Sequence, residues 1–159
     1  MAASPMSARR FEDRVLRILS ANRVLALATV RPDGWPQVTL VGYIHEGLTL
    51  YCSVASSSQK RRNIARDGRV SVAVGRRIGR GDNMQGLSMA AHAEAIGDPD
   101  DITRINQLLW EHLPDLDLFA PRAVPATLLR LRPEVISLLD TRHGAAQPVQ
   151  MSALLMTGG

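Results

Sequence analysis

The sequence predicts a mainly β protein, a closed or nearly closed antiparallel barrel with peripheral helices. Two observations carry that prediction. Short apolar or alternating runs recur with turn residues between them, at Val24 to Val30, Pro36 to His45, Leu48 to Val54, Arg69 to Val74, Met84 to Ile96 and Ala126 to Asp140, and such runs read as strands. Only three segments carry helical periodicity, and no repeat or linker divides the 159 residues, so one domain built around one sheet is the economical solution.

Each element has its own signal. Ser7 can cap a helix over residues 7–21, because Phe11, Val15, Ile18 and Leu19 recur at helical spacing and Asn22 is a reasonable stop. The period then changes to the apolar run Val24 to Val30, and Arg31-Pro32-Asp33-Gly34 places Pro and Gly where a type I turn accepts them. Pro36 to His45 makes the second strand and Glu46-Gly47 a tight reversal. In the third strand Leu48, Leu50 and Cys52 alternate with Thr49, Tyr51 and Ser53. A short helix runs from Ser58 to Ala65 and ends at Asp67-Gly68 before the fourth strand. Gly75 to Asn83 reads as a glycine- and arginine-rich loop, and Met84 to Ile96 as a fifth strand. Asp98-Pro99-Asp100 opens a helix from about Asp101 to Leu113, with Ile102, Ile105, Leu108 and Leu109 on one face. Pro114, Pro121 and Pro125 mark a loop, and Ala126 to Asp140, interrupted at Arg132-Pro133, makes the last strand or strand pair. The expected domain is therefore 1–140, with 141–159 a tail that is flexible or ordered by a partner.

Composition excludes several classes. One cysteine, Cys52, rules out an internal disulfide framework, the first ten residues lack an apolar leader core, and no stretch reaches a membrane-spanning length. A cytoplasmic protein is expected. The net charge of +4 is modest and arginine is spread along the chain, which argues against nucleic acid and suits a small anionic ligand equally well. His45, His92, His112 and His143 lack metal-ligand spacing. Cys52 lies within a strand as a small hydrophobe, Asp98, Asp100 and Asp101 belong to helix capping, and Asp115 and Asp117 to a solvated loop. No metal site and no protein nucleophile are expected.

The segment Ser53 to Asn63 stands apart. Lys and Arg together number 19, and Lys60 is the single lysine, so 18 positive positions are arginine. That one flexible ammonium sits where a strand passes through Ser56-Ser57-Ser58 into a basic helix start. Serine hydroxyls and the unpaired N–H groups of a first helical turn converge there as donors, an arrangement suited to phosphate. A capped surface helix with a solvated lysine is the plainer account of the same residues.

Three stretches together, Val24 to Val41, Gly47 to Ser53 and Lys60 to Val74, resemble the pyridoxamine 5'-phosphate oxidase-like, flavin-binding split-barrel superfamily. The specific parts are the L-A-T-x-x-x-D-G-x-P strand and turn from Leu27, and the S-x-K-x-x-N-I-x-x-D-x-R-V element from Ser58. The likeness runs from about residue 10 to 97, and more loosely to Asp140. It implies a six-stranded antiparallel split β-barrel of Greek-key type, paired as a homodimer with FMN in the clefts between subunits, acting as an oxidoreductase by hydride transfer with a small organic substrate. Thr39, Leu40 and Val41 would line the isoalloxazine; Ser53, Ser57, Ser58 and Lys60 would hold the phosphate; Gln85 would reach the cofactor of the other subunit. The oxidase proper has an arginine where this chain has Thr39, which makes Arg61 the candidate to replace that contact, and its C-terminal substrate segment is not recognisable after Asp140. True pyridoxamine phosphate oxidation is therefore not expected. The resemblance also extends to relatives that use a deazaflavin coenzyme, bind haem, or hold flavin without turnover.

Overall fold

The computed structural model describes residues 7–79, 83–113, 124–143 and 149–152. Helix α1 (Ala8–Ser20) opens at Ser7, whose hydroxyl accepts from the Arg10 amide at 3.4 Å, and it buries Phe11, Val15, Ile18 and Leu19 as their spacing predicts. Strands β1 (Val24–Val30) and β2 (Pro36–Gly42) form a hairpin whose turn closes through the Gly34 amide donating to the Arg31 carbonyl. A second hairpin joins β3 (Ile44–Glu46) to β4 (Thr49–Ala55) at Gly47, where φ is +55° and a side chain would be strained. Helix α2 (Gln59–Arg66), β5 (Arg69–Arg77), β6 (Met84–Ala95) and α3 (Pro99–His112) follow, then β7 (Ala126–Asp140), a 3-10 turn at Thr141–His143 and β8 (Val149–Ser152).

All pairings are antiparallel, in the order β2, β1, β5, β6, β7, β4, β3, with β8 on β7 beyond the end of β4. The sheet curls into a half-barrel. Its concave side holds the main core, to which β1 gives Leu25 and Leu27, β5 gives Val70, Val72 and Val74, and α1 plugs one end. A smaller core forms on the other side of β3 and β4, where Ile44, Tyr51 and Leu128 meet Ile105 and Leu109 of α3.

The structure differs from the sequence reading in three places and settles a fourth. The run Pro36 to His45 is two strands with different partners, β2 on β1 and β3 on β4. Between them Tyr43 is buried, its hydroxyl donating to the Leu19 carbonyl at 2.8 Å and its amide to the Arg23 carbonyl. β5 continues through Arg76 and Arg77 into the expected loop. Of the two readings left open for Ala126 to Asp140, one strand or a pair, the structure has one continuous strand, with a bulge where Ala90 faces Val135 and Ala91 faces Pro133. Proline has no amide to give the ladder, and the extra residue reverses which side chains face inward: Leu129 and Leu131 before it, Ile136 and Leu138 after it. Finally, the tail is not without structure, because Val149–Ser152 pairs with β7 and Met151 packs on the core. Among the described residues the strands therefore number eight rather than six. Arg80, Pro114, Asp115, Asp117 and Pro121 lie outside the described residues.

Ion pairs fasten α3 to the sheet. Arg130 of β7 reaches Asp101 at 2.7 Å and lies over the Tyr51 ring, while Arg104 of α3 reaches Glu46 at 2.6 Å. Asp98 caps the helix by accepting from the Asp101 amide. At the barrel end covered by α1, Asp140 accepts from Arg14 at 2.7 Å, Arg142 at 2.6 Å and Gln85 at 3.2 Å, with its side chain 4% exposed.

Hydrogen bonds from Arg142, joined by that from Gln85, hold the Asp140 carboxyl well below the usual carboxylate range despite its burial. A carboxyl with a depressed folded pKa stabilises the fold above its unfolded value, about 3.9, and loses that contribution as pH falls through the folded value. We expect Asp140→Asn to cost about 1.5–3 kcal/mol at pH 7, measured by urea unfolding, and the gap from wild type to narrow steadily below about pH 4. An equal gap at pH 7 and pH 2.5 would show that the charge is not what matters.

Candidate functional site

The two ends of the hydrogen-bonded order, β2 and the β3–β4 hairpin, come close without pairing along their length. This leaves an open seam in the barrel between β2 and β4. β2 pairs only with β1, so its other edge presents backbone N–H and C=O groups to the seam. Successive residues of β2 alternate in direction. Val41 enters the core, Thr39 shares its inward parity, and Leu40 points out, 67% exposed. Thr39 Oγ1 is buried and makes no hydrogen bond within the described chain. Such an orphan is rare in a finished fold and marks a place for a partner.

Beyond β4, Ser56 bonds to Thr127 at 2.8 Å, Ser57 is exposed, and Ser58 caps α2 by accepting from the Arg61 amide at 3.3 Å. Lys60 and Arg61 are half-buried, and among the described residues neither head group meets a hydrogen-bond or ion-pair partner. The capped helix start and the two cations concentrate positive potential at this end of α2.

A buried polar network sets the angle between this helix and β2. Asn63 of α2, 1% exposed, donates to Thr29 Oγ1 at 2.9 Å and to Gln37 Oε1 at 3.2 Å, and accepts from Gln59 at 2.8 Å. Arg66 adds bonds from its guanidinium to the Val30 and Arg31 carbonyls. None of these residues stood out as site residues in the sequence. The signal was available, since Asn63 lies on the inward face of a helix, four residues from Gln59, and Thr29 holds an inward position in an otherwise apolar strand. A groove lined by Arg31, Asp33, Gln37 and Gln59 runs beside it.

The remaining expected residues fall elsewhere. Ser53 is buried on the face of β4 opposite Cys52, the same face as Tyr51. Gln85 is tied to Asp140 in its own chain. On the convex side a cavity of about 560 Å³ brings Leu40 and Gln85 together with Val24, Ala73, Met84 and Leu139. Its floor is flat because Gly75 faces Gly86, where a Cβ would stand 2.9 Å from the Val74 carbonyl oxygen. Val38 and Leu40 extend this apolar face at the sheet edge, 63% and 67% exposed. Thus within one chain Leu40 and Gln85 share a cavity, while Lys60, Arg61 and Ser58 gather around α2.

Comparison with known proteins gives the family and the fold. Residues 11–140 match the family model described as pyridoxamine 5'-phosphate oxidase, and the chain belongs to that family. A FAD-binding protein from Mesorhizobium loti is 25% identical with a TM-score of 0.68, over 77% of this chain and 89% of that one. A heme binding protein from Mycobacterium smegmatis is 19% identical with a TM-score of 0.76, over 98% of this chain and 61% of that one. HutZ, a heme storage protein from Vibrio cholerae, is 18% identical with a TM-score of 0.64, over 81% of this chain and 92% of that one. The last two show the shared fold. The chain spans 61% of the length of the M. smegmatis protein.

Among the described residues no group of His, Cys, Asp and Glu could hold a metal, and no helix is long and apolar enough to cross a membrane. Cys52 is fully buried, and that burial pushes its thiol up to about 12, against the opposing pull of the Lys60 charge. A thiol so raised is almost wholly protonated at pH 8. We expect Cys52 to resist iodoacetamide at pH 8 in the folded protein and to react readily in 6 M guanidinium, followed by intact mass. Rapid native alkylation would contradict the buried placement.

Proposed function

We propose that this protein is a homodimeric flavin-binding oxidoreductase that takes FMN, with the phosphate at α2 held by Ser57, Ser58, Lys60 and Arg61 and the ring against β2. The observation that carries this reading is the buried Thr39 hydroxyl, without a partner among the described residues, on a strand whose free edge offers alternating backbone donors and acceptors. A flavin pyrimidine edge offers the complementary alternation. The bound flavin would supply hydride chemistry, while the chain's own residues bind, orient and keep the ring dry. Leu40 would give the apolar wall. With Thr39 in place of a strand arginine, Arg61 would provide the second cation. Ser53, on the other face of β4, would act through the strand end rather than by contact. Gln85 would serve the cofactor of the other subunit once released from Asp140 or through its backbone. A small organic molecule is the expected substrate.

Pairing of two chains is supported by the convex face, where Val24, Val38, Leu40 and Met84 stay exposed around alanines, serines and glycines. A contiguous apolar face of this kind suits an isologous two-fold contact. Sedimentation equilibrium at micromolar concentration should give twice the 17.3 kDa chain mass, and Leu40→Asp should shift the protein to monomer with loss of flavin affinity. A wild-type monomer that binds flavin fully would overturn the shared cleft.

Cofactor identity is read from the visible spectrum of purified protein and the mass of what it releases, which separate FMN, a deazaflavin and haem. Lys60→Met removes one charge-assisted contact, worth about 1.5–3 kcal/mol or roughly ten- to a hundredfold in affinity. We expect that loss for FMN and little change for riboflavin, which lacks the phosphate, in titrations of the folded apoprotein. Thr39→Val should weaken both ligands alike. Equal weakening of both ligands by Lys60→Met, or none, would remove Lys60 from the phosphate site.

A further inference from the structure

A second cavity, about 500 Å³, lies where the C-terminal ends of α1 and α3 approach β3. Ser20, the last residue of α1, and His45 of β3 both line it, with Ser20 Oγ 2.9 Å from His45 Nε2. The other ring nitrogen, Nδ1, is 2.9 Å from the Gly47 carbonyl oxygen. A carbonyl only accepts, so the proton of a neutral His45 resides on Nδ1 and Nε2 carries the lone pair. Ser20 must then donate its hydroxyl proton to Nε2. A hydroxyl, a base within hydrogen-bond reach and a third group fixing the base's tautomer are the geometric requirements for an activated serine. Glu46 beside them is occupied by Arg104, so the orienting group is the turn carbonyl alone.

The cavity supplies the remaining parts. Arg23 lines it, held by one guanidinium N–H donating to the His112 carbonyl at 2.8 Å, and its other N–H groups can oppose a developing oxyanion. Leu19, Ile44 and Leu113 give an apolar wall for a short acyl chain. We propose that Ser20 and His45 form an acyl-transfer site that hydrolyses small carboxylic esters, separate from the cofactor site and independent of it. Ser20 Oγ adds to the ester carbonyl carbon as its proton passes to His45 Nε2. The bond to the leaving oxygen breaks as that proton passes to it, leaving an acyl-Ser20 ester and a free alcohol. Water then adds to the acyl carbon with His45 again taking the proton and returning it to Ser20 Oγ, which leaves as the carboxylic acid is released.

p-Nitrophenyl acetate at pH 7.5 tests this with the full chain. The expected result is a burst equal to the protein concentration followed by turnover, at least on the order of a hundredfold above equimolar N-acetylhistidine. Ser20→Ala and His45→Gln should each remove it while leaving FMN affinity unchanged. A fluorophosphonate should phosphonylate Ser20 with loss of fluoride, adding the phosphonyl group to the peptide containing Ser20 in the wild-type protein, a readout that needs no variant to fold. A wild-type rate no greater than N-acetylhistidine, an undiminished rate in Ser20→Ala, or the label on another residue would overturn the proposal.

Discussion

One strand changes partners at Tyr43, and most of the architecture follows from that change. Up to Gly42 the chain pairs with β1; from Ile44 it pairs with β4, at the other end of the hydrogen-bonded order. The crossing holds the two ends of the sheet together near Tyr43 and leaves β2 and β4 unpaired alongside each other. Tyr43 keeps the crossing in place: its ring is in the core and its hydroxyl donates to the end of α1. Burial pushes its phenol ionisation up, so it remains a donor across any ordinary pH. The seam bearing Thr39 exists because this crossing is local.

Charge is distributed to the same end. Arginines are mostly committed: Arg14 and Arg142 to Asp140, Arg66 to two carbonyls, Arg104 to Glu46, Arg130 to Asp101 and Arg132 to Glu94. The planar guanidinium suits such fixed, forked pairings. The sole lysine is left at the start of α2 beside Arg61. A flexible ammonium with no carboxylate competing for it keeps its field available to an incoming anion, and the Asn63 network holds the helix start in place behind it. Rigidity and uncommitted charge come from different residues.

Local physics made much of this legible. The stripe in α1 and the caps at Ser7, Ser58 and Asp98 are each written in a few adjacent residues, so the sequence could place them within one or two positions. The Ser58 to Val70 element was visible for the same reason. What was not visible depends on pairing. Nothing in Pro36 to His45 tells a reader that Gly42 and Ile44 have different neighbours, because either strand reading gives the same alternation. The bulge opposite Ala90 and the late strand Val149–Ser152 likewise need β7 to exist before they make sense.

By itself, then, the sequence determined the element types, the main core positions and the cationic start of the second helix, since period, capping and composition act over a few residues. Tertiary structure decided where the barrel opens, that Leu40 and Gln85 share one cavity while Lys60 lies apart from it, and that Thr39 is left without a partner among the described residues. It also decided that Ser20 meets His45 across 25 positions. Those outcomes are set by register and by which strand edge stays free, and both are properties of contacts between segments that no segment encodes alone.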